Sequence, residues 1–335
     1  MSDFIFRINP YIVLGSYSIS RIGSQVLEWG TRFMVIIDPF LNEAKLAKQI
    51  MESLNDRKVE GFLFADIAEG PTSKNIERAL DLARDSHVHG IIAIGGEKAI
   101  QTGRAVAAFF NEIHNFYNFI DGALPNTTPI PCICVPTTYR TIYTFTSEIP
   151  IIDSRSNQLK FLKVQKSVCK LILIDPNLML SLTANQKATL SLELIGIAIE
   201  AYLSQKASFF SDMLVEKGLE LLSYALDGSP SLDITTPEEV LLTQAGCMLS
   251  LAAASSSPGL TTLLSLSIYS RYKKGKSLIS SILIPYEIDD AVKFKLAKTE
   301  KLSHIIRACP NDVTGETAGR ALSDYVRQKI AKERL

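Results

Sequence analysis

The chain has little histidine, no excess of either charge, an odd and scattered set of cysteines, and no unbroken apolar run of membrane-spanning length. Each shortage excludes something. Thirty-five basic residues are cancelled by thirty-five acidic ones, and no basic block or basic–aromatic interleaving stands out, so nothing electrostatic recruits a nucleic acid. Cys132, Cys134, Cys169, Cys247 and Cys309 lack a paired metal spacing, which predicts reduced, structural thiols and a cytoplasmic setting. The opening MSDFIFRINP has no basic region followed by a long apolar one, so no signal peptide is expected there. Val240 to Ser270 is free of charge, but SSSPG (255–259) divides it into pieces shorter than the roughly 20 residues of a span. The piece VLLTQAGCMLSLAAA therefore reads as a buried helix, its small side chains allowing close helix contact, and no membrane partner is expected. With only His87, His89, His114 and His304, no Ser–His–Asp or Cys–His arrangement is easily assembled.

What is present is ample apolar material, 47% of 335 residues, enough for two domains with cores of their own. In the first half, apolar runs alternate with amphipathic segments. FMVIIDP, VEGFLFAD, GIIAIGG and PCICVPTT read as buried strands, separated by NEAKLAKQIMESLND, TSKNIERALDLARDS and KAIQTGRAVAAFFNEI as helices. Continuous apolar strands with intervening helices predict a Rossmann-like parallel sheet covered on both faces. Ligand contacts are expected at the C-terminal strand ends, where Asp38, Gly95, Gly96 and Pro136 to Thr138 fall. After LILIDPNLMLSLT the pattern turns helical; one helix start, TPEEVLLTQ, reads as a capping box of Thr236, Pro237 and Glu239. The division expected is an α/β domain over 1–175 and an all-α domain over 176–335.

Five segments, in order, resemble one family. They are IVLGSYSISRIGSQVLEWGTRFMVIID, GPTSKNIERALDLARDSHVHGIIAIGGEKAIQTGRAVA, VPTTYRT, LILIDPNLMLSL and GIAIEAYLSQKASFFSDMLVEKGLELL. Together they are similar to the opening hairpin and first strand, the phosphate loop, the PTT motif, the DP-x-L segment and the first metal-domain helices of the iron-containing alcohol dehydrogenases. The fold this implies is dehydroquinate synthase-like. Such enzymes hold a divalent metal with one Asp and three His from the helical domain, the first two ligands one helical turn apart.

Carried onto this chain, the Asp position falls on Glu193, the paired His on Ile197, the third His near Thr262 to Leu264, and the fourth on Lys276. Isoleucine has no lone pair to offer and an ammonium opposes a cation. Only His304 lies in the helical half, so no metal ligand is assigned and iron or zinc is not expected. Glu193 and Lys276 are the cleft candidates; they read either as ordinary solvated or paired charges or, more sharply, as a pair in which Lys276 extends its cation into the metal position to meet Glu193. His87, His89 and His114 read as surface or packing residues.

The resemblance also assigns the cofactor positions Asp38, Gly95, Gly96, Lys98, Thr137, Thr138 and Leu178, which admit NAD. Against it stand Glu97 in place of a third glycine and Lys98 in place of serine, with Gln101 and Arg104 at further motif positions. Tyr139, Arg140, Ile142 and Tyr143 replace small residues of the PTT segment. Lys98 is expected to offset the Glu97 charge, and Arg104, Arg140 and Lys276 to suit the cleft to an anion. The expected protein is thus a family member without metal-dependent dehydrogenase activity, either taking a small molecule in its inter-domain cleft or a pseudoenzyme serving as a non-catalytic interaction or scaffold protein; dimers are common in the family, and a homodimer is the assembly it suggests. The alternative is an active NAD-linked alcohol or polyol oxidoreductase with an altered metal site.

Overall fold

The computed structural model describes residues 10–42, 45–229 and 234–333. The leader reading at the N-terminus and positions 43 and 44 of the first expected helix lie outside them. The chain divides into two compact units, Met1–Leu178 and Met179–Leu335, so the break falls within the short helix Pro176–Ser181 rather than after position 175.

In the first unit six parallel strands form one sheet. They are β1 (Tyr11–Leu14), β2 (Arg32–Ile37), β3 (Glu60–Phe64), β4 (Gly90–Gly95), β5 (Cys132–Pro136) and, after a separate antiparallel pair β6 (Glu148–Asp153) and β7 (Gln158–Lys163), β8 (Cys169–Ile174). Their order is β1-β8-β5-β4-β2-β3. Helices of ten residues or more are numbered α1 (Lys45–Asn55), α2 (Ser73–Asp85) and α3 (Glu97–Phe109) here. Alternate residues explain the double covering. Phe33, Val35, Ile37, Ile92, Ile94, Ile133 and Val135 share a core with Ile50 and Leu54 of α1. On the other face Gly103 of α3 meets Ala93, where an added Cβ would come within 2.5 Å of the Ala93 Cβ. The chain passes outward from β2 to β3, then returns to β4 on the other side of β2. The switch point therefore lies between the ends of β2 and β4, where Asp38 and the glycine turn sit.

One local expectation changes. The opening segment forms no hairpin: β1 pairs in parallel with β8, and short helices (Ser18–Arg21, Ile22–Val26) follow. Ile22 and Val26, both buried, recur at helical rather than alternating spacing. The β6–β7 pair lacked a clear turn signal. Cys132, Cys134 and Cys169 are free buried thiols, with Sγ–Sγ distances of 3.8 Å (132–134) and 3.5 Å (134–169). Burial pushes the thiols of Cys134 and Cys169 well up, leaving them neutral and unreactive.

The second unit is helical: α4 (Ala184–Leu203), α5 (Phe209–Asp227), α6 (Glu238–Ser255), α7 (Leu260–Tyr272), α8 (Lys276–Phe294), α9 (Leu296–Ile305) and α10 (Gly315–Lys332). A capping box opens α4, from Thr183 and Gln186. None forms at Thr236, because α6 begins a residue later with Pro237 as its cap, and the Glu239 carboxylate pairs with Lys187 at 2.9 Å instead. Helices α6 and α7 meet at 98° across the SSSPG break, and among the described residues no single helix is long and apolar enough to cross a membrane.

Candidate functional site

The glycine turn at the end of β4 is built around Asp38. Gly95 has φ +142°, a conformation that favours glycine. A Cβ there would lie 2.3 Å from Asp38 Oδ2. The Gly96 N–H donates to the same oxygen at 2.7 Å. Burial pushes the Asp38 carboxyl up, opposed by that hydrogen bond and by the Lys98 charge. The Thr137 N–H donates to the Gly95 carbonyl at 3.0 Å, and the Thr138 hydroxyl to the Arg140 carbonyl at 3.3 Å. The structure thus gathers Asp38, Gly95, Gly96, Thr137 and Thr138. Leu178 belongs to the apolar core of the unit.

Charge over the turn is arranged differently from expectation. Lys98 sends its ammonium to the Ala68 carbonyl at 2.8 Å; the Glu97 carboxylate pairs with Arg140, which is only 8% exposed. Arg104 is no anion receptor. Its guanidinium is buried and donates to Gln101 Oε1 at 2.9 Å, to the Thr146 carbonyl at 2.6 Å and to the Glu148 carbonyl at 3.3 Å. Tyr139, Ile142 and Tyr143 are buried. The hollow left among Gly95, Gly96, Glu97, Thr138 and Arg140 measures ≈ 10 Å³, room for about one water. The hollow itself is too small for a pyrophosphate.

In the helical unit, of the positions aligned with metal ligands Glu193, Ile197, Thr262 and Lys276 are buried, while Leu263 and Leu264 are exposed. Glu193, on α4, and Lys276, the first residue of α8, are 1% and 6% exposed, with Lys276 Nζ 3.1 Å from Glu193 Oε1. The Ser277 hydroxyl donates to Glu193 Oε2 at 2.5 Å. Ile197, one turn along α4, is buried and contributes no donor atom. Gly196 lets α8 approach, since a Cβ there would meet Ile284 at 2.8 Å. Thr262 is engaged by Glu200, which accepts from its N–H at 2.8 Å and its hydroxyl at 2.5 Å. Gly259, at the cap of α7, has no room for a side chain: a Cβ would lie 2.5 Å from Glu200 Cγ. Glu200 thereby caps α7 from another helix. Its own carboxyl is pushed up by burial, against the pull of Thr262, the Gly259 backbone and the Lys276 charge.

This donor set does not fit a divalent metal. One carboxylate is neutralised by an ammonium, the neighbouring turn offers isoleucine, and the threonine spends its hydrogens on Glu200. Among the described residues no group of three or more His, Cys, Asp and Glu side chains is placed to hold a metal ion. The histidines serve locally. His87 Nδ1 lies 2.8 Å from the Arg84 carbonyl, and His89 accepts from the Thr31 N–H at 3.1 Å. His304 Nε2 lies 2.8 Å from the Val313 carbonyl, and His114 is exposed.

Sequence reasoning missed Glu200, Ser277 and Glu287. Glu200 lies seven residues after Glu193 and so on the same face of α4, a signal that was available. Glu287, on α8, accepts from the Thr261 hydroxyl. Burial, and then the Glu200 charge, pushes its carboxyl up to about 7. A raised carboxyl binds a proton in the folded chain that the unfolded chain, with its ordinary value of 4.5, releases. The contribution to stability is full below that value and is lost as pH rises through about 7. Urea midpoints are expected to fall between mildly acidic and mildly alkaline buffer, and Glu287→Gln to flatten that slope. An unchanged slope in the variant refutes the assignment.

A parallel sheet with a glycine turn at its switch point, followed by an all-helical unit, defines a dehydroquinate synthase-like protein. The family model for iron-containing alcohol dehydrogenase matches residues 9–176, and the chain belongs to that family. It is 22% identical to the NAD-dependent methanol dehydrogenase of Bacillus methanolicus over 94% of this chain and 82% of that protein. Among solved structures, a 1,3-propanediol oxidoreductase aligns with a TM-score of 0.90 at 16% identity, over 99% of this chain and 87% of that one. The sulfoacetaldehyde reductase of Bifidobacterium kashiwanohense, solved with NAD+, aligns at 0.86 and 14%, over 98% and 86%. At such identities the structural likeness speaks for the fold alone.

Proposed function

We propose that this chain is a member of the iron-containing alcohol dehydrogenase family that has given up metal-dependent hydride chemistry, with the Lys276 ammonium supplying the positive charge that a metal would otherwise supply. The observation that carries this reading is the buried Lys276–Glu193 pair, 3.1 Å apart. A divalent ion needs lone pairs directed at it, and an ammonium has none to give while repelling the ion. A buried charge is retained when a partner compensates it, and here Glu193 and Lys276 compensate each other. What remains is a binding protein on an enzyme's scaffold.

The test is elemental analysis of purified chain incubated with iron or zinc, together with hydride-transfer assays using NAD(H) and NADP(H) on short alcohols, diols and aldehydes. Metal far below one ion per chain and no turnover above the blank are expected. Stoichiometric metal supporting saturable turnover would instead establish the active oxidoreductase, the reading favoured by the retained Asp38 and glycine turn.

A further inference from the structure

The first unit carries a second disagreement with the family's chemistry, independent of the helical unit. A dinucleotide-binding turn offers its glycines and backbone N–H groups to a pyrophosphate. In this chain Asp38 Oδ2 lies against both glycines: it accepts the Gly96 N–H at 2.7 Å, and a Cβ on Gly95 or Gly96 would come within 2.3 or 3.6 Å of it. The next residue, Glu97, is an anion held by covalent attachment, and its carboxylate is paired with the 8% exposed Arg140 from the segment after β5. Thr138 and Arg140 close the hollow from that side, leaving ≈ 10 Å³.

We infer that the Glu97–Arg140 ion pair is an internal lock on the glycine turn, which excludes NAD and NADP by filling the pyrophosphate's place with the chain's own carboxylate. Two effects act together. The carboxylate repels a phosphate at close range, and its pairing with Arg140 cancels the cation that would attract one. A tethered anion also competes with free nucleotide without having to bind from solution. Removing the Glu97 charge takes the repelling anion from the turn and leaves the Arg140 guanidinium, a group suited to phosphate, without that carboxylate beside it.

Isothermal titration with NAD+, ADP and inorganic pyrophosphate tests this on the full chain. The wild type is expected to show no saturable binding at millimolar ligand. Glu97→Gly is expected to bind at least one of the three roughly tenfold tighter or better, and Glu97→Gly/Arg140→Ala to lose that gain. Glu97→Gln, close in size but uncharged, repeats the comparison if the glycine variant does not fold. Saturable micromolar binding by the wild type, no gain in either folded Glu97 variant, or an undiminished gain in the double variant overturns the inference. A wild-type chain that binds NAD but holds no metal removes the lock and leaves the reading of the helical unit standing. A chain that holds metal but binds no nucleotide does the reverse.

Discussion

Lys276→Met is expected to destabilise the helical unit by about 3–5 kcal/mol, the range for removing one partner of a buried ion pair. The Glu193 carboxylate, 1% exposed, would lose its paired cation while keeping the Ser277 hydroxyl. The double variant Glu193→Leu/Lys276→Met should therefore cost less than Lys276→Met alone, since a paired charge replaced on both sides by apolar groups is often close to neutral. Urea denaturation followed by circular dichroism, read as a double-mutant cycle, measures the coupling. Strict additivity of the two single variants would show that the pair contributes nothing jointly.

Arg104→Ala is expected to cost on the order of 3–4 kcal/mol in the same measurement. Three acceptors, Gln101 Oε1 and the carbonyls of Thr146 and Glu148, lose a donor that reaches them from inside the unit. The Glu148 carbonyl keeps the Thr146 hydroxyl as a donor, but an unsatisfied buried acceptor such as Gln101 Oε1 costs about 1–3 kcal/mol, and the missing side chain adds a cavity. Arg104→Lys is expected to recover only part of this, because a single ammonium does not reproduce the guanidinium's fork towards several acceptors. Loss below about 1 kcal/mol in the alanine variant would mean that solvent reaches these carbonyls readily.

The sheet was legible because its strands are buried on both faces, so FMVII, GIIAI and CICV read as unbroken apolar runs. Strands β1, β6 and β7 escaped notice. β1 is a four-residue edge strand with no buried residue, and β7 has only one. At the turn, positions were readable and pairings were not. The sequence places Glu97 after two glycines, but nothing local tells that its carboxylate meets Arg140 while Lys98 turns to Ala68. In the helical unit, Lys276 and Glu193 were placed together by family register. The carboxyls of Glu200 and Glu287 went unread because acidic side chains usually stay in water, and it takes the consecutive hydroxyls of Thr261 and Thr262 to bring them inside.

That threonine pair bears on the history of the helical unit. Two adjacent residues at the start of α7 grip carboxyls from two other helices, α4 and α8, and Glu200 packs so closely on Gly259 that a side chain there has no room. Each single step from this cluster towards a set of metal ligands breaks something before it builds anything. Histidine at 276 strands Glu193, a donor at 197 puts a polar group into a dry helix contact, and moving Glu200 uncaps α7. On the proposed reading such a core acts as a ratchet: with the ammonium in place, the neighbours that accommodate it make a return to metal ligands unfavourable.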